Sequence, residues 1–276
     1  MSVMIGRFLT GFLGALTVVA VSGAALAGSD EARMAEIRDK GGCPRCDLKL
    51  AELRRLTMEK ANFQRAILRE VDLKEASVIH SDFRGSDFRR TEAERANFTG
   101  SDFSNASMRS VDLEKANLTG ANFTDVDLRD SDLDTAIAVG TIFDDADLRN
   151  AALTRSNFEN ASFRGAKMDA ANLERANLSG ANLQGARLRQ AKLDRAVAHN
   201  ADFSGADLSG ARLVSSDLTG ANLKGVDFNG ALMRRTHLAG ADLTGARNLD
   251  PARVLDSCGD DKTKVPAGIT LVECTY

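Results

Sequence analysis

The chain has 276 residues, with 36 Lys and Arg against 39 Asp and Glu and a formal net charge of −3. That length is enough for one or two ordinary domains. The near balance of charge points neither to a nucleic-acid partner nor to a protein that imitates one.

The first segment, Met1 to Ala27, reads as a secretory signal. Arg7 precedes an uncharged run from Phe8 to Ala27, which closes on the small-residue pattern Ala25-Leu26-Ala27. A run of about twenty apolar residues also suffices to span a bilayer, so an uncleaved anchor is the alternative. Asp30 and Glu31 immediately after the run favour cleavage. Either reading places the remainder outside the cytoplasm, periplasmic or extracellular, and cleavage leaves no membrane span.

Residues 28–45 read as an N-terminal cap. Ser29 to Lys40 carries helix signals: Ser29 or Asp30 as cap, acidic residues in the first turn, and Met34 and Ile37 spaced for one apolar face. Gly41-Gly42 stops the helix. Cys43-Pro44-Arg45-Cys46 follows, a CxxC. It has three readings: a redox dithiol, half of a zinc site, or a local staple. No second CxxC or paired His supplies the other zinc ligands, and no thioredoxin-like βαβ pattern flanks it.

From Cys46 to Gly245 the chain is forty unbroken five-residue units of the form small, polar, large apolar, x, x, as in Ala116-Asn117-Leu118-Thr119-Gly120. On a helix, positions five apart drift in angle and share no face. On a flat strand an odd period puts every second Leu on the wrong side. One buried apolar residue in every five therefore requires a bend in each unit. Four bends close a coil of about twenty residues, and coils stacked at roughly 4.8 Å give ten coils in a rod of about 48 Å. The eleven Phe of the array all occupy the central position, and seven, Phe63, Phe83, Phe103, Phe123, Phe143, Phe163 and Phe203, fall in one column of period twenty. Cys43 lies in phase with that column and Cys46 opens the first unit, which favours the staple. Leu56, a large residue at a position otherwise small, is expected to pack against the N-terminal lid. Ala93, Ala138 and Ala198 undersize the central position, so packing defects are expected there.

The fifth residue of each unit sits at a corner. Two corners are rich in Gly, Asn and Asp, which suit type II turns. The other two carry Arg90, Arg95, Ser110, Lys115, Arg155, Arg175 and Arg195, and are expected to turn without positive φ. Such A(N/D)LxG units in unbroken register resemble the pentapeptide-repeat proteins. The resemblance implies an all-β, right-handed quadrilateral β-helix, with short helical or loop caps at both ends. It also brings an alternative function, since the family includes DNA-mimicking topoisomerase-binding proteins.

The walls of such a rod are patterned. Arg69, Arg89, Arg109, Arg129, Arg149 and Arg189 form a column, broken by Asp169, that offers a docking strip for an anionic partner. Asp87, Asp127, Asp147, Asp207 and Asp227 lie beside it, so charge compensation is the plainer reading. Asn97, Asn117, Asn157 and Asn177 align as a possible ladder. Ile137, Val139 and Ile142 occupy outward positions near mid-rod. They mark either a contact patch or a distortion where Ala138 underfills the core.

After Gly245 the register ends and residues 246–276 read as the C-terminal cap. Asp250-Pro251 starts a short helix to about Leu255, and Cys258 to Cys274 bounds a loop over the last coil. Of the three pairings open to four cysteines, two would bridge the rod's length, and a disulfide needs Cα atoms within about 7 Å. Cys43–Cys46 and Cys258–Cys274 are therefore the expected bonds.

No Ser/His/Asp set, phosphate loop or dinucleotide fingerprint is present. His80, His199 and His237 are too far apart along the rod to share a metal. No enzyme, cofactor or metal is expected. The leading reading is an exported, non-enzymatic scaffold for an unidentified protein or anionic envelope component, with no nucleic acid as partner. The alternatives are the topoisomerase-binding DNA mimic, against which export and mixed charge argue, and a thiol-disulfide protein using Cys43 and Cys46.

Overall fold

The computed structural model describes residues 23–274. Residues 1–22 of the expected signal lie outside the described residues. The chain folds into a right-handed quadrilateral β-helix, with every inter-coil bridge parallel. The twenty-residue spacing is explicit in one wall, where Asn97, Asn117, Ile137, Asn157 and Asn177 pair in succession.

One unit shows why five residues make a side. The Ala116 N–H donates to Leu113 O (2.9 Å) and closes the preceding corner. The Asn117 N–H donates to Ala96 O in the coil before (2.8 Å), while those of Leu118 and Gly120 donate to Ile137 O (2.7 Å) and Val139 O (3.0 Å) in the coil after. The fifth donor, the N–H of Thr119, has no backbone partner in this scheme. It donates to the Asn117 side-chain Oδ1 (3.1 Å). Position two is Asn or Asp because that short side chain caps the one amide the ladder leaves over.

All four corners use positive φ, which corrects the expectation for two of them. Arg90, Arg95, Ser110, Lys115, Arg155, Arg175 and Arg195 lie at φ 57 to 60°, like Gly100 at 64°. A positive φ at the third residue of a four-residue turn is the type II signature. A non-glycine residue there costs about 1 kcal/mol or more. The ladder imposes it, since Arg90 N–H reaches Arg109 O (3.1 Å) and Lys115 N–H reaches Asp134 O (3.0 Å) from this conformation.

The interior is solid. Phe63, Phe83, Phe103, Phe123, Phe143 and Phe163 stack, with successive centroids 4.7–5.2 Å apart and planes within 15°. Phe88, Phe98 and Phe158 meet that stack edge-on. Ala93, Ala138 and Ala198 are fully buried. Each is followed five residues later by Phe98, Phe143 or Phe203, so a large ring on the next side compensates a small one. Hydroxyls at the small position bond back to the coil before, as Ser131 Oγ does to Met108 O (2.9 Å) and Thr141 Oγ1 to Leu118 O (2.7 Å). Leu56 is buried in this core.

The caps differ in detail from expectation. Helix α1 runs Gly23–Asp39, so Ser29 and Asp30 lie inside it rather than at its start. The Ala-Leu run before them has high helix propensity and extends the helix backward. Ile37 joins the core and Met34 is partly buried against it. The helix stops as expected: Gly41 N–H donates to Arg38 O (3.0 Å) and Gly42 N–H to Ile37 O (2.9 Å), a Schellman pair. At the other end the coil outlasts the sequence register. Arg247 pairs with Asp227, Cys258 with His237 and Lys264 with Asp242, so residues after Gly245 build an eleventh coil that has gained residues. One side of it holds a single 3₁₀ turn, Pro251–Arg253, capped by Asp250, in place of a longer helix. Strand β1 (Thr57–Glu59) pairs with β2 (Ser77–Ile79) early in the rod. Strand β3 (Cys258–Gly259) pairs with β4 (Val272–Glu273), which lays a final strand over one wall.

Candidate functional site

A solid core leaves only the outer walls for function, and their charges follow a spacing of eighteen residues. Position four of one coil faces position two of the next. Arg69 reaches Asp87 (2.8 Å), Arg189 reaches Asp207 (2.5 Å), Lys74 reaches Glu92 (2.6 Å) and Arg212 reaches Asp194 (3.0 Å). Asp169, which interrupts the Arg column, bonds Arg187 (2.5 Å). It is the same pair with its polarity reversed.

Every Arg of the expected strip holds a carboxylate. Besides Arg69 and Arg189, Arg89 pairs with Asp87 (2.6 Å), Arg109 with Asp130 (2.8 Å), Arg129 with Asp127 (2.7 Å) and Arg149 with Asp147 (2.6 Å). The hydrogen bond from Arg89, with help from Arg69, holds the Asp87 carboxyl well below the usual carboxylate range. An anionic ligand would have to displace these partners, so the column is a compensated wall before it is a docking strip. The Asn column is capping first and ladder second. Asn97, Asn117, Asn157 and Asn177 each accept the N–H two residues on, and one inter-coil link joins Asn177 to Asn157 (3.1 Å).

The cysteines stand in two pairs, Cys43 with Cys46 (Cα–Cα 5.6 Å) and Cys258 with Cys274 (4.8 Å). Cys43 and Cys46 are the first and last residues of the opening corner, with Pro44 and Arg45 (φ 60°) between them. That is the turn used at every later corner, and Pro suits its second position. The pair also follows the C-terminus of α1, whose dipole disfavours a thiolate. Reactive CxxC pairs have the opposite setting. His237 approaches Cys258 and Cys274, with the three ligand atoms within 4.8 Å of one another. The sulfurs are bonded to each other, which removes the thiolates a metal would take.

Ile137 and Ile142 are 47% and 40% exposed, and Val139 at the corner between them is partly exposed. The ladder runs through them without a break: Ile137 N–H to Ala116 O (2.9 Å), Ala138 N–H to Asn157 O (2.7 Å) and Ile142 N–H to Ala121 O (3.0 Å). Distortion around Ala138 is therefore not their cause. On the neighbouring wall, Asp132 lies close to Asp134, Asp112 and Glu114. Partial burial first, and then those like charges, push its carboxyl above its ordinary value. The folded state thus favours the protonated acid, and the penalty acts at pH 7 and vanishes once the acid is protonated in both states. Asp132→Asn keeps the cap on the Asp134 N–H. It is expected to raise the melting temperature at pH 7 and to match the parent below about pH 3. An equal gain at both pH values would discount the electrostatic origin. Among the described residues no helix is long and apolar enough to cross a membrane.

The family described as pentapeptide repeats matches residues 66–105, 96–134, 141–180, 171–210, 181–220 and 211–247. Among solved structures, the chain is similar to HetL, a pentapeptide-repeat protein involved in heterocyst differentiation regulation from the cyanobacterium Nostoc sp. strain PCC 7120. Identity is 29% over 77% of this chain and 86% of that one, with a TM-score of 0.31. A trypsin-treated form of QnrB1, a plasmid-mediated fluoroquinolone resistance protein, is 19% identical over 78% and 92%, with a TM-score of 0.33. Rfr23 from the cyanobacterium Cyanothece 51142 is 21% identical over 60% and 95%, with a TM-score of 0.17. No curated protein matches.

Proposed function

Because the chain belongs to the pentapeptide-repeat family, we propose that it is an exported, non-enzymatic scaffold that binds another protein through its outer walls. The closed interior carries this reading. Central residues such as Leu128, Leu148, Phe163 and Leu188 are fully buried, and the grooves run along the outside, as where Arg69, Arg89 and Arg109 line one. Two disulfide-tied ends suit an oxidising compartment. A DNA-mimic role is the weaker reading, because the wall of arginines alternates with its acids rather than presenting one sign along the rod.

Fractionation of cells making the full chain with a C-terminal tag tests the proposal. The protein is expected outside the cytoplasm, with a mature N-terminus at Gly28, and chemical crosslinking there is expected to trap a protein partner. Recovery of the chain in the cytoplasm with its first segment intact would argue against export. An exported chain that crosslinks to nothing would argue against a scaffold.

A further inference from the structure

Resting on that scaffold reading, we infer that the corner made by Ile137, Val139 and Ile142 docks a protein segment with an apolar anchor flanked by basic side chains. The first ground is what these residues cost the fold. Ile137 replaces the Asn found above and below it at Asn117 and Asn157, and Ile142 lies between Asn122 and Ser162. Asn caps the amide two residues on, whereas Ile cannot. Among the described residues the N–H groups of Val139 and Asp144 donate to no backbone or side-chain oxygen. Each lost cap forgoes about 1 kcal/mol, and the apolar side chains put there instead stay nearly half exposed. The other large exposed apolar side chains, Leu50, Leu255, Val265 and Val272, sit toward the rod's two ends. Val197, between Asn177 and Asp217, forgoes the same cap but is better covered; among the described residues Ile137 and Ile142 are the large exposed apolar side chains of mid-rod.

The second ground is charge. Residues 111–160 carry eleven Asp and Glu against four Lys and Arg, a net of −7, in a chain whose total is −3. The remainder of the chain is therefore net positive, and the acidity is confined to the coils that carry the corner. Asp125, Asp144, Asp145 and Glu159 fringe it, and none of them makes an ion pair among the described residues. Arg164 lines one groove with Asp144 and Asp145; its backbone N–H and the Ser162 hydroxyl donate to Asp144, but its guanidinium forms no ion pair with either acid. Other carboxylates of the same positions are held by a cation, as Asp169 and Asp194 are at position four and Asp130 at position five. Unpaired acids around an apolar centre complement a cationic, apolar segment and repel an acidic one.

The third ground is access. Gly120 and Gly140 form the same corner, and a Cβ at either would meet nothing within 4 Å. With that space open beside the glycines, a partner's backbone can approach the free amides next to the isoleucines.

The test uses the full chain and three synthetic decapeptides: a Leu-Val-Leu centre flanked by arginines, the same centre flanked by glutamates, and all arginine. The first is expected to bind at least about tenfold more tightly than the others. Ile137→Asn/Ile142→Asn is expected to weaken it by about tenfold or more, while the melting temperature stays equal or rises because the caps are restored. Equal binding to the parent and the double variant, or equally tight binding of the all-arginine peptide, would overturn the assignment. Self-association of the parent that the double variant lacks would also overturn it, by making a second copy the occupant. Crosslinking from a native extract separates the two readings. The same partner trapped by the parent and the variant would sink the corner and leave the scaffold standing, whereas no partner for either would sink both.

Discussion

Leu173→Asp is expected to destroy the rod at its middle. Leu173 is fully buried in a column with Leu153 and Leu193, and among the described residues no Lys or Arg is buried to meet a carboxylate. The change loses the burial of a Leu, about 2 kcal/mol, and leaves an unpaired buried charge, a further several kcal/mol. A domain's whole margin is about 5–15 kcal/mol. In a solenoid each coil rests only on its neighbours, so the damage should spread along the stack. Arg109→Ser is the control. Arg109 is half exposed and its bond to Asp130 is a surface ion pair, worth about 0–1 kcal/mol. Circular dichroism and amide exchange are expected to show a collapsed ladder for the first variant and a parental one for the second. Equal unfolding in both would mean that the division into inward and outward positions is wrong.

The same division was legible in the sequence because it needs only a period. A unit of five with one Leu or Phe forces a bend, and the Phe column fixes four bends to a coil. The corners depart from the preference of each residue taken singly. Arg90 and Lys115 disfavour positive φ on their own, yet their amides must reach the next coil, and a ladder of such bonds overrides a cost of about 1 kcal/mol at each corner. Ion pairs such as Arg187–Asp169 show neither in columns of twenty nor along one side, because the contact runs diagonally across eighteen residues. The eleventh coil was invisible because Arg247 to Lys264 lacks the small, Asn/Asp, Leu pattern. There the backbone follows the template of the coil before it, with no repeat of its own. Ile137, Val139 and Ile142 did stand out in the sequence, but the acidity around them was averaged away in a chain whose total charge is −3.

Phe103→Ala is expected to be the most costly purely apolar substitution among the rings. Phe103 is fully buried. It stacks on Phe83 (4.7 Å) and Phe123 (4.8 Å) and meets Phe88 (5.4 Å) and Phe98 (5.2 Å) edge-on. Truncating a buried Phe costs about 3–5 kcal/mol through lost transfer energy and the cavity left behind. The upper end applies here, because neighbours held by ladders on all four sides cannot collapse into the gap. Phe103→Leu offers the informative contrast. Leu183 already occupies this column between Phe163 and Phe203 and is fully buried, so the wall geometry accepts a branched aliphatic side chain. Phe103→Leu should then lose mainly the ring contacts, about 0.5–1.5 kcal/mol for each pair that matters. Denaturant melts of the two variants against the parent measure the difference. If Leu proved as damaging as Ala, the column would depend on aromatic geometry rather than on filled volume, and the tolerance seen at Leu183 would need another cause. If Ala proved harmless, the interior would not be the packed stack on which the confinement of function to the outer walls depends.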